Sequence, residues 1–140
     1  MTSPSERNER AVRSLFETVI NGQEYEQIDQ YCSPNVTLYG PGNVVEEGRD
    51  AYEEHYRNLH TVFPDFDATL TDVVADDTTV GTRFTVTATH DAPLFGMSAT
   101  GATVRFSAQI VFRFEDGVID TEFHQSDRSH LREQLRQAKS

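Results

Sequence analysis

The sequence predicts an α+β fold, and three observations carry that prediction. Apolar residues recur at helical spacing as far as Phe63, then at strand spacing from Ala68 onward, and an Asp116-Gly117 pair joins the last two strand-like runs. Helices gathered at one end of the chain and an antiparallel meander at the other mean helices packed on one face of a sheet. A length of 140 residues suits one domain spanning 1–140, with enough apolar surface to bury without staples.

Each element has a local cause. Ser3 can cap the first helix, Pro4 suits its first turn, and Glu6 completes a capping box. Val12, Leu15, Phe16 and Val19 follow at helical spacing until Asn21-Gly22 stops the run. A short second helix puts Tyr25, Ile28 and Cys32 on one face and ends near Ser33-Pro34. Val36 to Tyr39 reads as a short strand before the Gly40-Pro41-Gly42 turn. The third helix begins around Gly48-Arg49-Asp50, with Tyr52, His55, Tyr56, Leu59 and Phe63 as its apolar stripe, and closes at Pro64.

From Ala68 to Ala75 the chain is rich in threonine and valine, then turns at Asp76-Asp77. Thr79 to His90 alternates, with Val80, Phe84, Val86, Ala88 and His90 on one face and Arg83, Thr85, Thr87 and Thr89 on the other. After a loop over Asp91 to Gly101, Val104, Phe106, Ala108, Ile110, Phe112 and Phe114 form another one-sided row. Asp116-Gly117 predicts a two-residue hairpin, Val118 to Gln125 returns antiparallel, and a short polar helix carries Leu131 and Leu135.

Composition narrows the function classes. The single cysteine, Cys32, allows no internal disulfide and suits a reducing compartment. Residues 1–7 lack the apolar core of a signal peptide and no run is long enough to span a bilayer, so a cytoplasmic location without membrane association is expected. A net charge of -11 and no basic stripe argue against nucleic acid as a partner. Lys139 is the only lysine, and arginine supplies every other strong positive charge. That balance suggests adaptation to high salt, where ions screen the repulsion among surface carboxylates. A moderately acidic protein of ordinary solvents is the alternative.

Four stretches resemble the SnoaL-like polyketide cyclase family, within the broader nuclear-transport-factor-2-like fold. Phe63-Pro64-Asp65 is similar to the end of the family's third helix, and Val80 to His90 to its long strand ending in histidine. Leu94-Phe95-Gly96-Met97 resembles its glycine-centred loop. Arg113 to Ile119, continuing to Asp127, Leu131 and Gln134-Leu135, resembles its terminal hairpin and helix. The likeness runs over about residues 6 to 135. It implies a conical, strongly curved, mostly antiparallel sheet wrapped by three N-terminal helices, a pocket between them, a short C-terminal helix, and a homodimer formed through the outer sheet face. It also implies ring closure by aldol chemistry without metal or organic cofactor, with a carboxylate as acid/base. The family's acid/base aspartate falls on His124 here, a helper histidine falls near Ile110, and Phe123 stands where many relatives carry tryptophan.

The candidate catalytic pair is therefore His124, a residue type whose ordinary pKa suits proton transfer at neutral pH, and Asp127, which would either orient it or cap the last helix. His90, Tyr39, His55, Tyr56, Phe95, Met97 and Phe112 are candidate substrate-binding residues, although histidines and aromatics on apolar faces are commonly plain core. Tyr52 is a further candidate donor, Phe84 and Phe106 are candidate lining, and His60 and His130 lie off the stripes and read as solvated. His55 and His60 are five apart, on different helix faces, so no metal site is indicated. Cys32 reads as a small buried hydrophobe. The expectation is a cofactor-independent cyclase or isomerase acting on a small carbonyl compound through an enolate. The alternative is a non-catalytic small-molecule binding module. A hydrolase ranks lowest, because Arg83 and Arg105 lie opposite the apolar rows.

Overall fold

The structure is a computed structural model and describes residues 2–139. Helix α1 spans Pro4–Leu15 and runs into a π-helical turn, Phe16–Asn21. A 3₁₀ turn, Tyr25–Gln27, leads into α2, Ile28–Tyr31, and then β1, Cys32–Gly40, and β2, Val44–Glu47. Helix α3, Arg49–Val62, precedes β3, Asp67–Ala75, β4, Thr79–Thr89, β5, Thr103–Glu115, β6, Val118–Ser126, and the final helix α4, Arg128–Lys139. The six strands form one sheet in the order β2-β1-β6-β5-β4-β3. Among the described residues only the β1–β6 pairing is parallel.

The predicted caps and turns form as their chemistry requires. Ser3 Oγ accepts the Glu6 backbone N–H at 3.2 Å, and Pro4 opens the helix. Asp116 and Gly117 both take positive φ, +52° and +82°, which is the twist a two-residue hairpin needs. Val80, Phe84, Val86, Ala88 and His90 are all buried, as is the β5 row from Val104 to Phe114.

The helices cover that face. Phe16 meets Phe84 and Phe112 edge-on, with ring centroids 5.0 and 6.2 Å apart. Each such buried aromatic contributes roughly 1.5–3 kcal/mol. The π-helical turn has a structural consequence. The Glu24 N–H goes back to the Thr18 carbonyl at 2.9 Å, leaving the Ile20 carbonyl to accept His60 Nε2 at 2.8 Å. Asn21 then satisfies Ala68 on the edge strand β3 twice, donating to its carbonyl at 3.0 Å and accepting its N–H at 2.8 Å.

Three expectations are corrected. His60 is buried, with Tyr25 Oη at 2.6 Å from its Nδ1, because the displaced Ile20 carbonyl gives its ring a partner inside. Cys32 begins β1 rather than ending a helix. Val44–Glu47, which the sequence left without an element between the Gly40-Pro41-Gly42 turn and the third helix, pairs with β1 as an edge strand.

Candidate functional site

The last strand builds the site through one irregularity. From the hairpin, Glu115 pairs with Val118 and Phe114 with Ile119, which would send Thr121 and Phe123 inward by alternation. Asp120 is an extra residue, so Arg113 pairs with Thr121, Phe112 with Glu122 and Ile110 with His124. The bulge turns Glu122 and His124 to the inner face and sends Phe123 outward. There Phe123 stacks on Tyr39 at 5.2 Å, beneath the Arg113 guanidinium at 5.1 Å.

Glu122 is completely buried, and three donors converge on it. Tyr52 donates to Oε2, Tyr56 donates to Oε1 at 3.3 Å, and His124 Nε2 lies 2.7 Å from Oε1. The two tyrosines stand one turn apart on α3 and so share the face that meets β6. Burial, above all, pushes both phenols up from their usual titration range, so they stay protonated and donate. The carboxyl oxygens fix His124 with its proton on Nε2 in the neutral ring, leaving Nδ1 for a ligand. The His124 side chain is 13% exposed.

His55 completes the cluster from α3. Its ring lies 5.6 Å from that of His124 and 5.3 Å from that of Tyr56. Its pKa is pushed down to about 4, first by desolvation and then by the neighbouring His124. At neutral pH it is an uncharged imidazole that can both donate and accept. The Cys32 thiol, next to this network, is pushed up by burial and by the Glu122 charge, which makes it a poor nucleophile.

His124 and His55 border a cavity of about 250 Å³, otherwise mostly apolar. Tyr56, Phe84, Phe95 and Phe106 are among its walls. The structure therefore brings together His124, His55, Tyr56 and Phe95 of the predicted site residues. Asp127 does not join them. Beyond the end of β6 it is exposed and accepts the His130 N–H at 3.1 Å, capping α4, so the carboxyl partner of His124 is Glu122. His90 lies outside the cavity lining, fully buried, its Nδ1 accepting the Thr100 N–H at 3.2 Å and thereby tying down the loop that follows β4. Tyr39 is 41% exposed on the outer face, and Phe112 is core behind the wall. Met97 borders a neighbouring recess together with Phe95.

Glu122, the residue that the sequence reading passed over, had one available signal: it stands two positions from His124, hence on the same strand face. The outward-looking parity counted from the hairpin concealed it.

An α+β fold in which a six-stranded mixed sheet and its helices enclose an apolar pocket is the SnoaL-like class of protein. The model of the SnoaL-like polyketide cyclase family matches residues 10–135, and the chain belongs to that family. A proposed polyketide cyclase from Acidithiobacillus ferrooxidans is similar at 27% identity, covering 98% of this chain and 99% of that one, with a TM-score of 0.83. A proposed SnoaL-like polyketide cyclase from Jannaschia sp. CCS1 has a TM-score of 0.88 at 18% identity, covering 94% and 93%. AclR from Streptomyces galilaeus, a proposed hydroxylase, has a TM-score of 0.80 at 22% identity, covering 93% and 81%. The last two show the fold alone. No protein of curated function matches the sequence significantly.

Proposed function

We propose that the protein is a cofactor-independent cyclase or isomerase that acts on a small, largely apolar carbonyl compound through an enolate. The observation that supports this most is His124, which lines an apolar cavity and lies 2.7 Å from the carboxyl of Glu122 buried behind it. His124 Nδ1 takes a proton from a carbon beside a carbonyl, and Glu122 balances the imidazolium that forms. His55, held neutral by its surroundings, donates to the developing enolate oxygen without losing its proton to solvent. The proton on Nδ1 then returns to the product, at oxygen after ring closure or at carbon after isomerisation. Excluding water from the apolar walls strengthens each of these interactions. A homodimer formed through the outer sheet face is part of this reading, supported by the exposed Tyr39 and Val45 on neighbouring strands.

The test is deuterium exchange at the α-carbon of 2-tetralone in D₂O, followed by NMR. The wild-type chain should accelerate exchange, and His124→Ala should lose about 10²–10⁴ of that acceleration. No acceleration above the His124→Ala background refutes the assignment. A second reading, a non-catalytic binding module, is favoured by one feature: every oxygen of Glu122 is already satisfied by donors of the protein itself. Binding of 2-tetralone without exchange would establish that reading instead.

A further inference from the structure

The helix beside the pocket mouth carries a feature that the charge of the whole chain conceals. Arg128, Arg132, Arg136 and Lys139 recur at spacings of four, four and three along α4, which places them on one side of the helix. Together with Phe95 and Met97 they line a recess, and among the described residues no carboxylate lines it. The chain has 12 lysines and arginines against 23 acidic residues, so a third of its cations gather at this one place. The expectation of no basic stripe is thereby corrected: the stripe is short, and helical spacing hides it in the linear sequence.

Two features set these cations apart from a solvated helix face. The Arg128 and Arg132 guanidiniums lie over the Phe95 ring, at 5.1 and 4.5 Å from its centroid, and among the described residues neither is paired with a carboxylate. Arg128 also stands in the first turn of α4, which contains no acidic residue, and there the helix dipole disfavours a cation. The helix alone gives no reason for that charge. Gly42, whose φ of +73° favours glycine, lies against this guanidinium: a Cβ there would come within 2.8 Å of Arg128 Nη1. Phe95 and Arg128 border both the recess and the apolar cavity, so the two spaces are neighbours that share these side chains.

We propose that this recess binds the anionic head of the ligand whose apolar body fills the cavity, so that the ligand is an amphiphile ending in a carboxylate or phosphate. This rests on the cavity being the ligand site, as argued above. Planar guanidiniums grip such groups through paired hydrogen bonds, and contact-range pairs of this kind persist in salt that screens longer-range attraction.

Calorimetric titration with 2-naphthylacetic acid and with its methyl ester tests the proposal, in 0.1 M and about 2 M KCl, where the Debye length falls from about 10 Å to below 3 Å. The wild-type chain should bind the acid about tenfold more tightly than the ester. The double variant Arg128→Gln/Arg132→Gln should lose that preference while its affinity for the ester stays the same. Arg83→Gln, the same charge change on the outer sheet face, should retain it, as should His124→Ala. Equal affinity for acid and ester, no binding of either, or an equal loss in Arg83→Gln overturns the proposal. Replacing the acid with 2-naphthylmethyl phosphate separates the two head groups, and a preference for the charged compound over the ester in either case supports it. Because binding is read without turnover, a preference for acid that survives alongside absent deuterium exchange retains this inference and removes only the enzymatic reading.

Discussion

Acid should destabilise this protein through His55, and the size of the effect follows from its surroundings. His55 titrates at about 4 in the folded chain, pushed down by desolvation and by His124. In the unfolded chain a histidine titrates near 6.5. Between these values the unfolded state binds the extra proton, so stability rises with pH. The contribution is fully present above about pH 6.5 and is lost as the pH falls toward 4. Linkage gives a loss of about 2 kcal/mol by pH 5 and about 3 kcal/mol by pH 4, reduced somewhat by the solvent-facing edge of the ring. His60 is also held below its ordinary value, mainly by desolvation, and adds a loss of the same sign. Comparison with His55→Gln isolates the first contribution, since His60 is common to both chains. Urea unfolding at pH 7.5, 6, 5 and 4, at constant ionic strength, would measure it. The gap between the two chains should change by about 3 kcal/mol across that range. Parallel curves from pH 7.5 to 4 would refute the assignment of a buried neutral imidazole at position 55.

Three further outcomes are expected. Glu122→Leu should cost about 3–5 kcal/mol, because it strands the donors of Tyr52, Tyr56 and His124 in the interior; thermal unfolding within 1 °C of wild type would contradict the network. Asp127→Ala should cost about 0.5–2 kcal/mol through the lost α4 cap and leave deuterium exchange unchanged; a loss of exchange at intact stability would return Asp127 to the catalytic assignment. If the net charge of -11 reflects high-salt adaptation, the melting temperature should climb steeply from 0.1 M to molar potassium chloride. A flat response in scanning calorimetry would count against that adaptation.

The parts of this protein legible in the linear sequence are those governed by local rules. Period fixes which side of an element is buried, so the inward rows of β4 and β5 and the stripe of α3 could be read residue by residue. Turn chemistry does the same for Asp116-Gly117, and capping chemistry for Ser3 and Pro4. His55, Tyr56 and Phe95 could be picked as site residues because each lies on such a row or in the loop beside it, and His124 because it stands where the resembling family carries its acid/base aspartate.

Tertiary structure decided the rest wherever a local rule was broken. One extra residue at Asp120 reverses the parity of β6, which buries Glu122, turns the aromatic Phe123 to the outer face and gives His124 its partner. The π-helical turn frees the Ile20 carbonyl and so draws His60 inside. Neither irregularity leaves a mark in hydrophobic period, because each is stabilised by contacts from elements far along the chain. The basic recess belongs to the same category: its cations are regular along α4, but only the packing of Phe95 and the Gly42 turn against that helix makes them a site. The sequence thus determined which faces are buried. The long-range contacts determined which polar groups were buried with them, since a buried donor or acceptor must find its partner wherever the fold supplies one.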